Sequence, residues 1–152
     1  MLTLALSADL DGITDLQPAE DEWTFKIQCT SCRETHPNWV SFSSSDKVEQ
    51  SKGKGEANFV WRCRNCKREH TANVVDSPKA YSDSNALKNI ISFDCRGIEL
   101  LEFKPDGNWK AKGTESNTPF PEIDLNDDWF DYDEKAAAEV SIKEVKWVIR
   151  KA

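Results

Sequence analysis

Two C-x-x-C pairs, Cys29-Thr30-Ser31-Cys32 and Cys63-Arg64-Asn65-Cys66, stand thirty residues apart in a chain of 152. Four thiols at that spacing require two tight turns to face each other across one tetrahedral ion. Zn²⁺ is the expected occupant, one per chain, held by Cys29, Cys32, Cys63 and Cys66. It accepts four thiolates at about 2.3 Å and has no redox chemistry of its own.

Two other occupants compete. A rubredoxin-like iron centre uses the same S₄ set, but rubredoxins resemble one another in having Gly after the second cysteine, where this chain has Arg33 and Lys67. A dithiol redox site would call for one C-x-x-C beside a βαβ pattern, and this chain has two pairs and no such pattern. Tetrathiolate zinc carries a formal −2, and Arg33, Arg62, Arg64, Lys67 and Arg68 crowd the pairs as candidates to offset it. Both pairs extend to C-x-x-C-x-x-x-H, ending in His36 and His70. With four thiols present, surface histidines are expected there rather than ligands or donors to the ligands. Cys95 stands alone among apolar neighbours and reads as a small buried hydrophobe.

Charge is unevenly spread. Residues 1–23 carry −6, residues 24–80 carry +4 and residues 81–152 carry −5, within a total of −7. Only the cysteine-bearing segment is basic, and the remainder would repel a phosphate backbone. The apolar start from Met1 to Leu10 has no Lys or Arg before Lys26, so neither a signal peptide nor a presequence is expected, and no apolar run is long enough to span a bilayer. Reduced, metal-bound cysteines suit the cytosol or nucleus.

Leu2, Leu4, Leu6, Ala8 and Leu10 alternate as in a half-buried strand. Trp23, Phe25 and Ile27 run into the first pair, with a strand around Trp39 and Phe42 beyond it. Phe59–Arg62 leads into the second pair and Thr71–Val75 leaves it, so strands flank both pairs in the manner of a zinc ribbon. The polar stretch 43–58 reads as a long mobile excursion. A helical turn is expected near Ser84–Lys88 and a short helix over Glu134–Glu139. Val140 to Ile149 reads as a last strand with a bulge at Lys143-Glu144.

The chain also repeats itself. Residues 7–16, SADLDGITDL, lie over residues 92–101, SFDCRGIELL, with five identities in ten. Both segments predict strand, glycine break, strand, the Gly turning the chain sharply. Two related β halves follow, 1–80 with the metal insert and 81–152 without it. The acidic–aromatic run Asp127–Lys135 reads as aromatics turned inward with acids solvated, the alternative being a docking surface for a basic partner.

The pairs, together with Phe93-Asp94-Cys95-Arg96-Gly97, Gly113-Thr114-Glu115-Ser116 and Asp128–Lys135, resemble the eukaryotic CXXC-motif-containing zinc-binding proteins nearly end to end. The resemblance implies a mainly β fold of two similar antiparallel barrel-like halves related by a pseudo-twofold repeat, with Zn²⁺ in the first half on Cys29, Cys32, Cys63 and Cys66. It implies no settled activity. No nucleophile–base constellation supports catalysis, and a closed Cys₄ site leaves no position for substrate. The function expected is therefore a non-enzymatic, monomeric adaptor for a protein partner. Metal handling, with Zn or Cu(I) passed to a chaperone, is the first alternative. A nucleic-acid-binding ribbon using Arg33, Arg62, Arg64 and Arg68 with Trp61 for stacking is the second.

Overall fold

Glycine corners organise the molecule. In the computed structural model, which describes residues 1–151 with the side chain of Lys52 excepted, β1 (Leu2–Asp11) reaches Gly12 and continues as β2 (Ile13–Pro18). Then follow β3 (Trp23–Cys29), β4 (Val40–Phe42), β5 (Val48–Glu49), β6 (Glu56–Ala57), β7 (Phe59–Arg62) and β8 (Glu69–Val75). The second corner runs from β9 (Lys88–Arg96) through Gly97 into β10 (Ile98–Lys104). The chain closes with β11 (Trp109–Gly113), β12 (Pro119–Ile123), β13 (Trp129–Asp133) and β14 (Ala138–Lys151). Both corner glycines are left-handed, Gly12 at φ 72° and Gly97 at φ 83°, a conformation that costs a residue with a Cβ about 1–2 kcal/mol.

Each corner carries its strand from a shared central sheet into a flanking one. The central sheet has the order β13-β14-β1-β9-β8-β7, and the flanking sheets are β10-β3-β4 and β12-β11-β2. A pseudo-twofold between β1 and β9 exchanges the two ends of the molecule, giving two barrel-like antiparallel halves as expected. The spatial halves nevertheless cross the 80/81 division of the sequence. β1 and β2 complete the sheets of β11 to β14, while β9 and β10 complete those of β3, β4, β7 and β8. A strand that turns a corner pairs with whichever edge it meets in space, and sequence order does not reveal that edge.

One continuous core joins the halves. Phe25 meets Phe93 edge-on at 5.0 Å and Trp23 meets Phe93 at 5.9 Å, while Phe103 against Trp147 at 4.7 Å links this cluster to Trp109. Such pairs add about 0.5–1.5 kcal/mol each beyond the area they bury. Buried Tyr81 fastens the connector between β8 and β9, its hydroxyl donating to the Ala86 carbonyl at 2.6 Å and accepting from the Ala8 N–H at 3.1 Å.

Several local expectations need correction. The stretch 43–58 is not a loose excursion: it contains the β5–β6 hairpin, and Asn58 ties it to β8 by accepting the Val74 N–H at 2.8 Å and donating to the Asp46 carbonyl at 2.9 Å. Neither helical turn forms. Residues 134–137 make the tight turn between β13 and β14, where Ala137 takes φ 53°, and Lys88 already belongs to β9. The bulge in the last strand is present, since Ser7 pairs with Lys146 but Asp9 with Lys143, and Glu144 sits at φ 53°.

Candidate metal centre

Cys29 is the last residue of β3, and Cys63 directly follows β7. Each then starts the same tight turn. The Cys29 N–H donates to the Glu34 carbonyl at 2.8 Å and the Arg33 N–H to the Cys29 carbonyl at 2.9 Å, and the Cys63 N–H and Lys67 N–H repeat the pattern at 3.0 and 2.9 Å. Arg33 and Lys67 close the turns at φ 68° and 65°. This is the conformation a glycine would supply, so the basic residues do not mark a knuckle different from the rubredoxin kind. They fill a glycine position under strain.

The turns bring together the four thiols expected from the spacing. Their sulfurs all lie within 4.8 Å of one another, with Cys29 Sγ 3.6 Å from Cys66 Sγ and Cys32 Sγ 3.6 Å from Cys63 Sγ. Thiolates at about 2.3 Å from a tetrahedral ion stand about 3.8 Å apart, so the set fits one zinc ion. Cys29 and Cys63 are buried, while Cys32 and Cys66 are partly exposed. Two of the thiols, Cys32 and Cys66, are shifted in opposite directions. The Cys32 thiol is brought down to about 6, first by a hydrogen bond from Asn65 and then by the Glu34 N–H. The Cys66 thiol is pushed up to about 11, because burial and the three neighbouring thiols outweigh the Arg68 N–H. Four sulfurs this close cannot all ionise unless a cation lies among them.

His70 departs from expectation. It is 4% exposed, and its Nε2 lies 3.0 Å from Cys29 Sγ. The imidazole thus touches a candidate ligand and stands where a donor to a thiolate would be needed. Burial, followed by the charge of Arg68, lowers its pKa. The corner at Gly97 makes room for it, since a Cβ there would lie 2.0 Å from His70 Nδ1. The Gly97 carbonyl also accepts the Thr30 N–H at 3.1 Å, tying the corner to the first turn. His36 is half-buried and away from the sulfurs, its Nδ1 3.0 Å from the Asn38 N, and Trp61 lies buried between the rings of His36 and His70. Cys95 behaves as anticipated, packing partly buried against the core. Burial and then the charge of Asp94 push its thiol up to about 12.

The opposite half holds a counterpart of the centre that sequence reading missed. Gly113 starts the same turn as Cys29: its N–H donates to the Thr118 carbonyl at 2.9 Å, the Asn117 N–H returns to the Gly113 carbonyl at 3.1 Å, and Asn117 takes φ 58°. Thr114 reaches the Gly12 carbonyl at 3.0 Å as Thr30 reaches that of Gly97. Asp133 stands at the Cys63 position, and a Cβ on Gly12 would meet Val140 as one on Gly97 meets His70. Gly113, Ser116, Asp133 and Ala136 therefore take the places of the four cysteines. Asp133, 1% exposed, replaces the ion as the hub of this end. Its carboxylate accepts from the hydroxyls of Ser116 and, at 2.8 Å, Thr118, and from the N–H groups of Lys135 and Ala136 at 3.1 and 3.2 Å. The available signal was the G-x-x-S and D-x-x-A spacing, which echoes C-x-x-C.

The acidic–aromatic run departs from expectation at three positions. Trp129 packs inward against Phe120 and the core as expected, but Phe130 and Tyr132 point outward, 67% and 51% exposed, and Asp133 is the acid turned in. The need to place Asp133 at the hub sets the phase of β13, and alternation then sends Tyr132 to the other face.

The family model for eukaryotic CXXC motif containing zinc binding proteins matches residues 3–150. A UPF0587 protein of Schizosaccharomyces pombe is 46% identical over 153 residues, covering 98% of this chain and 97% of that protein. The human protein called CXXC motif containing zinc binding protein is 37% identical over 150 residues, with 95% and 94% covered. Among solved structures, the crystal structure of C1orf123 superposes with a TM-score of 0.92 at 36% identity, covering 99% of each chain. A hypothetical protein from Plasmodium falciparum gives 0.87 at 25% identity and 98% coverage of each.

Proposed function

The chain belongs to the eukaryotic CXXC motif containing zinc binding proteins, and we propose that it is a non-enzymatic protein-interaction module folded around a structural zinc ion on Cys29, Cys32, Cys63 and Cys66. The closure of the sulfur cluster carries this reading. Four thiols within 4.8 Å complete a tetrahedral shell, and a filled shell leaves no position for substrate or activated water. Structural zinc contributes about 10–16 kcal/mol of apparent binding free energy in small finger peptides, where binding and folding are one event.

The partner surface proposed is the β13–β14 edge of the central sheet, where exposed Phe130 and Tyr132 stand beside Asp131 and Glu139. Exposed aromatics rimmed by acids fit a basic protein segment, the aromatics supplying contact area and the acids orientation. The nucleic-acid reading is weaker, because Trp61 is buried between two histidine rings and offers no stacking face. The working compartment proposed is the cytosol, with the protein acting as a monomer.

Elemental analysis tests the metal, with one zinc per chain expected, lost together in Cys29→Ser and Cys66→Ser. Titration of the zinc-loaded protein with a labelled Lys/Arg-rich amphipathic peptide tests the surface. Binding should weaken in Phe130→Ser/Tyr132→Ser while zinc content holds, and equal binding by that variant would refute the assignment. One observation favours metal exchange as a second reading, namely the partial exposure of Cys32 and Cys66. Zinc release to a chelator faster than global unfolding would move the conclusion there.

A further inference from the structure

The cleft beside the metal centre is lined by five cations, Lys54, Arg62, Lys67, Arg68 and Arg96, against one carboxylate, Glu69. It measures about 590 Å³ and is also bordered by Gly97 and His70. Glu69 is already engaged, accepting the Ser51 N–H at 3.1 Å and the Ser51 hydroxyl. The cations are not. Among the described residues, none of Lys54, Arg62, Lys67 and Arg68 forms an ion pair, and Arg96 meets only Asp94, at 3.9 Å and across solvent.

Nor, among the described residues, does any of these cations hydrogen-bond a sulfur. Besides one another, the thiols have the His70 ring as a hydrogen-bonding side-chain partner, at Cys29 Sγ. Of the cations expected to offset the −2 of the centre, Arg62, Lys67 and Arg68 instead line the cleft.

The pseudo-twofold supplies an internal comparison. The positions of Arg62, Lys67, Arg68 and Arg96 correspond to Tyr132, Ala137, Ala138 and Asp11 in the other half. The equivalent cleft there, about 560 Å³, is lined by Asp11, Asp131 and Glu139 with a single Lys143. The same backbone thus carries a basic cleft at one end and an acidic one at the other, so the fold itself does not require the cations.

We propose that the basic cleft beside the zinc centre is a binding site for the phosphate groups of a small ligand carrying two or three of them. Unpaired arginines present planar donor forks that match phosphate oxygens two at a time, and several cations in one small volume suit an anion of high charge density. A long polyanion fits less well, because the cleft is bounded by a chain of net charge −7 and lacks an aromatic stacking platform.

The test is isothermal titration of the zinc-loaded full chain at about 0.15 M salt with tripolyphosphate, inorganic phosphate, citrate and a single-stranded oligonucleotide. Saturable binding of one tripolyphosphate per chain is expected, tighter than phosphate or citrate. Arg62→Gln and Arg96→Gln, both exposed substitutions, should each weaken it roughly tenfold, the loss of one charge-assisted hydrogen bond. Lys54→Gln, away from the cysteine turns, should shift affinity in the same direction, and Lys110→Gln on β11 should leave it unchanged. Zinc content measured in parallel should stay at one per chain throughout. Absence of saturation, equal loss in Lys110→Gln, or citrate as tight as tripolyphosphate would overturn the proposal. An oligonucleotide binding more tightly than tripolyphosphate would overturn it in favour of a nucleic-acid surface.

Discussion

Replacing Gly97 by Ala sets a Cβ 2.0 Å from His70 Nδ1 and 2.7 Å from both Cγ and Cε1. Three ring atoms are struck at once, so no small rotation of the imidazole relieves the clash, and the ring must leave. Three costs follow. The left-handed backbone at φ 83° costs an alanine about 1–2 kcal/mol. Displacing His70 forfeits its bond to Cys29 Sγ, about 1.5–3 kcal/mol where the acceptor is a thiolate. Repacking a buried ring beside Trp61 costs about 1–3 kcal/mol. The total is roughly 3.5–8 kcal/mol, a large share of the ~5–15 kcal/mol that holds a domain folded. Gly53→Ala is the control, since Gly53 has φ 66° but nothing within 4 Å of its would-be Cβ, and it should lose only the ~1–2 kcal/mol of backbone strain. Denaturant unfolding of the zinc-loaded proteins reads both, and a double-mutant cycle identifies the cause. Gly97→Ala/His70→Ala should be less destabilised than the sum of its single variants by about 2.5–6 kcal/mol, because the hydrogen bond is lost only once and the ring clash disappears with the ring. Additive behaviour in the cycle, or a Gly97→Ala no worse than Gly53→Ala, would refute the claim that this corner exists to admit His70.

Arg33→Gly and Lys67→Gly should each stabilise the protein by up to about 1 kcal/mol, since both residues hold left-handed turns, and zinc content should not change. A drop in zinc occupancy would show that their charges hold the thiolates after all. The Ser116 hydroxyl, aided by Thr118 and the N–H groups of Ala136 and Lys135, holds the Asp133 carboxyl below the ordinary carboxylate range. The stability this contributes is complete above the unfolded-state pKa near 3.9 and is lost as pH falls through the lower folded value. Asp133→Asn should thus be less stable than wild type at pH 7 with a shallower acid limb in denaturant titrations, while Asp131→Asn, whose side chain is exposed, should match wild type. The Cys95 thiol, pushed up to about 12 by burial, should resist alkylation at pH 8 in the zinc-loaded protein. Mass spectrometry after brief iodoacetamide treatment checks this, and Cys95→Ser should cost about 1–3 kcal/mol for burying a hydroxyl.

Much of the site was legible in the sequence because a knuckle is a local structure. C-x-x-C spacing carries its own turn, and the flanking alternation of Trp23, Phe25 and Ile27 places that turn at a strand end. The ten-residue repeat around Gly12 and Gly97 was equally local, and it led to the pseudo-twofold. His70 was misplaced for the opposite reason: its burial depends on Gly97, at the corner between β9 and β10, and on Trp61 in β7, neither of them on its own strand. The inward orientation expected for all the aromatics at 127–135 failed likewise for Phe130 and Tyr132, though not for Trp129. Either phase of a β-strand satisfies alternation, and only the partners of Asp133, in a turn some fifteen residues away, select one.

The sequence by itself determined the number of thiols, their spacing, the strands leading into them and the glycines at which strands must turn. All of these are set by steric and coordination rules acting over a few residues. Tertiary structure alone decided which strands pair across the two halves. It also gave His70 its place against Cys29, put a carboxylate where the second half has no cysteines, and left the cations of the metal half facing an open cleft. Those outcomes depend on distances between residues remote in the chain, where burial makes an unpartnered polar group costly and an exposed charge cheap. No local pattern encodes that difference.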